Sequence, residues 1–216
     1  MSSSIAKKVA MALSGFFLLV FLLQHLSINM LSVISPDAFN STSHFMGYNP
    51  LVQFVLQPVL MFGVIFHLGM GIKLELENRA SRPVKYAVNK GSANSTWMSR
   101  NMIITGMTVM LFLGLHLYDF WVHEMVVKYV EVHPEDPTRY YEELVAKFES
   151  PARVGLYVLS FVFLALHLMH GFQSAFQSVG FNHNKYTPLI KKLSNIYAIV
   201  VPLGFIFIAV YHFVTQ

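Results

Sequence analysis

Four histidines, His25, His67, His116 and His167, stand one in each of four long apolar stretches of a 216-residue chain. Neutral imidazole is a common ligand for iron, and a titratable side chain inside a bilayer is costly enough to mark a functional site by default. Counted along helices that alternate in direction, the four fall into two level pairs. His25 lies 16 residues past Val9 and His116 lies 14 past Met102, about 24 and 21 Å along outward-running helices. His67 and His167 lie 16 and 13 residues past Leu51 and Val154, about 24 and 20 Å along inward-running ones. Two imidazoles at one depth can clamp one iron from both sides. The spacing therefore predicts two haem b groups, an outer one on His25 and His116 and an inner one on His67 and His167.

Membrane helices must carry these residues. The chain is 55% hydrophobic and 12% charged, with a mean hydropathy of +0.52, too apolar for an ordinary soluble domain. Five stretches, approximately 9–34, 51–74, 102–127, 154–176 and 193–214, reach the roughly 20 residues that a helix needs to cross a core of about 30 Å. Their apolar runs are continuous and lack period-two alternation, which excludes a barrel. The expected fold is all-α, one transmembrane domain over residues 1–216 built as a bundle of five helices. The first span follows Lys7 and Lys8 as a signal would, but it is long, lacks a small-residue cleavage site and holds His25, so it is read as retained. The absence of cysteine excludes disulfides, iron–sulfur ligation by this chain and covalent haem attachment.

Charge sets the expected orientation. The N-terminal tail, the segment 73–100 and the loop before the fifth span hold 11 of the 15 Lys and Arg residues, whereas the opposite side holds nine of the 11 acidic ones. The N-terminus is expected in the cytoplasm and the C-terminus outside. The basic balance thus reports topology, and no nucleic-acid signal accompanies it. Links one–two and four–five are short, which predicts antiparallel neighbours. The polar, basic segment 75–100 suits lipid head groups or a soluble partner. On the other side, Asp136, Pro137 and Thr138 followed by Tyr140, Tyr141, Leu144, Val145 and Phe148 predict a short amphipathic helix lying in the interface, with a solvated loop as the alternative.

Small residues repeat with the histidines. Ser14-Gly15 and Thr105-Gly106 end ten residues before His25 and His116, and Gly71 and Gly171 follow His67 and His167 by four. The later glycines lie one turn from a ligand, where they leave room for a flat macrocycle, and the earlier ones lie near the level of the other pair. Close helix packing is the alternative use of such glycines. His170, one turn below His167, is the rival ligand on the fourth span. His123 and His212 are read as wet residues at helix ends, and His44, His133 and His183 as loop residues.

These residues resemble a known family. Leu23-Gln24-His25-Leu26 with Asn29, Phe66-His67-Leu68 with Gly71, Arg100 with Thr105-Gly106 and His116, and His167 with Gly171 and Gly180 are similar to the five-helix, di-haem cytochrome b that anchors succinate:quinone oxidoreductases, the succinate dehydrogenases and fumarate reductases. The likeness spans almost the whole chain. In that family the helix-four ligand stands four residues before one Gly and 13 before another, which implies His167 over His170. The family also implies that helices one and three hold the haem distal to the soluble subunits and helices two and four the proximal one.

The resemblance further implies a bacterial cytoplasmic membrane, a flavoprotein subunit that oxidises succinate at its FAD, and an iron–sulfur subunit that passes electrons through the two haems to a quinone, usually menaquinone. The succinate site would then lie on another subunit, in keeping with a chain that has no dinucleotide fingerprint. Asn29, His44, Asp119 and His123 are the candidate quinone residues near the outer haem, with water-facing helix ends as the alternative for each. Arg100 and Lys73 are the basic candidates for the inner propionates, and Arg153 or Lys128 for the outer. Some fumarate reductases of this type carry a Glu two residues before the helix-four ligand; Ala165 stands there in this chain, which favours succinate oxidation. The alternatives are a fumarate reductase working in reverse, the cytochrome b of another quinone-linked complex, and a proton-coupled transporter.

Overall fold

A computed structural model of the chain describes residues 3–81 and 101–215. Arg100 and most of the segment 75–100 lie outside the described residues. Seven helical elements follow one another, with no strand among the described residues: α1 Ser4–Ile34, α2 Pro36–Tyr48, α3 Val52–Ala80, α4 Met102–Val130, α5 Arg139–Lys147, α6 Pro151–Ser178 and α7 Thr187–Val214. The expected all-α bundle is borne out, since α1, α3, α4, α6 and α7 are each long and apolar enough to cross a membrane. Each extends beyond its expected bounds, because the flanking polar turns continue the helix.

Local chemistry explains the starts and stops. Ser35 caps α2, its hydroxyl accepting from the Ala38 amide at 3.3 Å, and Pro36 takes the first turn, where its missing N–H costs nothing. Ser150 and Pro151 open α6 in the same way. α3 begins with a π turn at Val52–Leu56, and α4 carries two more, Leu117–Val122 and Val126–Val130, the first of them directly after His116.

The arrangement of α1, α3, α4 and α6 positions the site. α1 packs on α3, α3 on α4, α4 on α6 and α6 on α1, so α1 faces α4 and α3 faces α6 across the bundle. α7 lies outside this ring against α6 and α1. Glycines permit the close approaches: a Cβ on Gly63 would sit 2.7 Å from the Phe17 ring, and one on Gly204 would sit 2.9 Å from Leu26. Side chains such as Val20, Phe62, Ile65 and Leu111 remain exposed, as lipid-facing residues do.

One end of the bundle is capped. α2 and α5 pack together there, and Phe39, Leu144 and Phe148 join Leu26, Tyr157, Phe161 and Phe205 in the main apolar cluster. The expected amphipathic helix at 134–151 is present as α5, with Leu144 and Phe148 buried and Glu142 exposed. The link between the first two spans, expected to be a short connection, contains the 13-residue α2.

Candidate functional site

The four histidines meet in the two expected pairs. Across the α1–α4 diagonal, the His25 and His116 rings have centroids 5.7 Å apart and planes at 83°. Across the α3–α6 diagonal, the His67 and His167 rings are 6.5 Å apart at 74°. An imidazole nitrogen binds a transition metal at about 2 Å, so two rings on opposite sides of one ion have centroids about 6 Å apart. Both pairs fit a single iron held between them. It is His167 that contacts the His67 ring, with the half-buried His170 one turn away.

The glycines sit where the sequence pattern put them. A Cβ on Gly15 would lie 3.6 Å from His67 Cε1 and one on Gly106 3.4 Å from His167 Cε1, so the glycines of the helices that carry one pair line the other. Ten residues of helix then separate the two levels, about 15 Å. Around Gly71 and Gly171 the neighbours are the flexible ends of Met11 and Met102, at 3.5 and 3.2 Å from an added Cβ.

The pairs differ in their surroundings. His25 and His116 lie in an aromatic shell: Phe21 stacks on His25 at 5.3 Å, Phe205 lies 5.7 Å from it, and Phe120, Phe112 and Tyr157 lie 5.2, 5.8 and 6.4 Å from His116. His116 Nδ1 is buried without a hydrogen-bond partner among the described residues. His67 and His167 instead touch hydroxyls, those of Ser14 and Thr105.

The quinone candidates divide. Asn29 donates to the His25 carbonyl at 2.8 Å and its amide nitrogen lies 3.4 and 3.5 Å from the ring nitrogens, so it borders this site. Asp119, 1% exposed, is held by Arg153 and by the Tyr157 hydroxyl, which donates at 2.7 Å. His123 lies 3.6 Å from Glu143, and with Asp119 it lines a cavity of about 110 Å³ beneath α5. His44, expected in a loop, stands on α2 and pairs with Glu135 at 2.7 Å. Asp119 falls in the π turn that directly follows His116, and His123 comes just after it.

Of the basic candidates, Lys73 is exposed, Arg153 is matched by Asp119, and Lys128 pairs with Glu124 at 2.7 Å while donating to the Gly47 carbonyl at 2.6 Å. His212, expected to be wet, is 1% exposed: α7 packs it on α1, where it shares a 2.8 Å hydrogen bond with Ser32 beside Tyr141. Sequence reading missed the hydroxyls of Ser14 and Thr105 as partners, and it missed Tyr157. The Ser-Gly and Thr-Gly repeat was the available signal for the first two. Nothing marked the third.

At the cap, Arg139 joins Glu143, at 2.7 and 2.8 Å, to Glu124. Burial acts to lower the Arg139 pKa, but the hydrogen bonds it donates to Glu143 and Glu124 outweigh it and raise the value, so the guanidinium stays charged. Tyr140 beside it is pushed up from the ordinary tyrosine range by burial and by Glu124.

The chain is similar to the succinate dehydrogenase cytochrome b558 subunit of Bacillus subtilis (strain 168), at 22% identity over 156 residues that cover 72% of this chain and 69% of the relative. The resemblance read from the histidine motifs is thereby borne out. No family model matches the chain, and no solved structure matches it.

Proposed function

We propose that this chain is the cytochrome b subunit of a succinate dehydrogenase, which anchors the flavoprotein and iron–sulfur subunits and conducts electrons to menaquinone through two bis-histidine haems. The observation that carries the reading is the pair of imidazole contacts, at 5.7 and 6.5 Å, on the two diagonals of one bundle. His25 and His116 would hold one haem b and His67 and His167 the other. Bound there, each supplies a one-electron carrier whose potential the protein sets.

The residues of this chain do the rest. Diagonal placement holds each imidazole against a ligand on the opposite helix, and the roughly 15 Å between levels keeps the two sites within electron-transfer reach. Phe21, Phe112, Phe120 and Phe205 exclude water from the capped-end site. Asn29, Asp119 and His123 offer polar groups to a quinone at that end, with His44 the outlying candidate. The cap would face outward, and the opposite end, with its Lys and Arg residues, would face the cytoplasm and receive the soluble subunits, the polarity that the charge distribution supports. A flavin and clusters on those partners agree with a chain that contains no cysteine.

Reduced-minus-oxidised spectra of the purified complex test this reading. Two b-type haems per chain are expected. His25→Ala and His116→Ala should remove one spectral component, and His67→Ala and His167→Ala the other. A colourless complex, or one component lost in both His25→Ala and His67→Ala, overturns it. Co-purification with a molybdenum or nickel subunit overturns the succinate assignment.

A further inference from the structure

Ser14 and Thr105 stand on the two helices that give no ligand to the His67–His167 pair, yet each places a hydroxyl beside one of its rings. A hydroxyl has a single proton to donate. The Ser14 oxygen lies 2.8 Å from the Met11 carbonyl and 2.9 Å from His67 Nδ1, so a hydroxyl that donates to the carbonyl is left to accept from Nδ1. Thr105, 0% exposed, repeats the arrangement: its hydroxyl donates to the Met102 carbonyl at 3.0 Å and lies 3.4 Å from His167 Nδ1. With the hydroxyls so oriented, Nδ1 carries the hydrogen in both rings. Since neutral imidazole has one ring proton, Nε2 is left with its lone pair free to bind metal.

We propose that Ser14 and Thr105 are positioning residues that fix the tautomer and orientation of His67 and His167 for Nε2 ligation. The proposal rests on the two-haem reading above. Two further observations support it. Each hydroxyl residue is followed by a glycine that faces the same ring, where an added Cβ would lie in van der Waals contact at 3.6 Å from His67 and 3.4 Å from His167, so helix and ring approach closely beside the hydroxyl. The arrangement also distinguishes this pair, since His116 Nδ1 has no partner among the described residues. A ring N–H that donates to an oxygen makes the imidazole more basic, which favours ferric iron. Ser14 and Thr105 thus lower the potential of the inner haem relative to the same site without them.

Redox titration of both haems in the purified complex tests this, together with the low-spin ferric signals in electron paramagnetic resonance. Ser14→Ala and Thr105→Val are each expected to raise the inner midpoint potential, with a tenfold change in the ferrous-to-ferric ratio corresponding to about 59 mV for a one-electron couple. The outer haem should keep its potential, and Ser14→Thr and Thr105→Ser should restore the parent values. Loss of the inner haem alone in Ser14→Ala or Thr105→Val, rescued by the conservative variant, supports the same role. Parent potentials and signals in both variants overturn the proposal, as does an equal shift of both haems. A parent complex without two b-type haems overturns the function reading instead.

Discussion

The two histidine pairs share four helices and one diagonal geometry, yet their surroundings are opposite in kind. The pair near the N-terminal end has hydroxyls on its outer nitrogens, glycines against its rings and no phenyl ring in contact with either histidine among the described residues. The capped-end pair has five aromatic neighbours, and His116 has no acceptor among the described residues. Hydroxyls flank both rings of the first pair, whereas an aromatic shell surrounds the second, with Asn29 beside His25 as its polar neighbour. The same ligand type can therefore be tuned in two directions within one small bundle. A basic imidazole favours the oxidised iron, and a dry apolar shell disfavours the added positive charge.

The largest test of the contrast is steric. Gly15→Leu or Gly106→Leu drives a branched side chain into His67 or His167, and the expected result is loss of one haem of the two with retention of the outer one about 15 Å away. Pigment analysis with low-temperature spectra reads this directly; equal loss of both haems would break the idea of separable sites.

A middle-sized effect is expected at the capped end. Asp119→Asn leaves Arg153 without its counter-charge and weakens the bond to Tyr157, which stands beside His116. Because Arg153 is 31% exposed, the cost is discounted from that of a fully buried pair to about 2 kcal/mol. Thermal bleaching of the outer haem should start several degrees lower than in the parent, while the inner haem follows the parent curve.

The smallest effect concerns pH. Tyr140 has its pKa raised in the folded cap by burial, then by Glu124. A group whose folded value lies above its unfolded one stabilises the fold fully below the unfolded value, about 10 for tyrosine, and loses that contribution as pH rises through the folded value. Tyr140→Phe should match the parent near neutral pH, since its hydroxyl is buried without a partner among the described residues. Above about pH 10 the parent should lose cap stability faster than the variant, as measured by protease sensitivity of the 131–150 region.

How much of this was legible in the residues follows from how local each signal is. Spans of continuous apolar residues, and histidines whose depth follows from a fixed rise per residue, are written in one dimension, and so the bundle and both ring contacts were foreseen. Ser35-Pro36-Asp37 carried an equally local start signal for α2, but its placement within a short, partly apolar link hid the helix. Asp119 and His123 were counted along a regular helix, and the π turn after His116, a feature set by packing, was not foreseen. His212 was assigned to water by its nearness to a helix end. α1 buries it through Ser32, a residue 180 positions earlier, and such contacts leave no mark on the local sequence.

The diagonal layout has a consequence for assembly. The α1–α3 hairpin holds half of each clamp and the α4–α6 hairpin the other halves, so neither can grip a metal alone, and a haem entering either level would rivet the two hairpins together. On the two-haem reading, maturation of the chain and loading of its pigment would become one cooperative event, in which the second haem would meet a bundle already closed by the first.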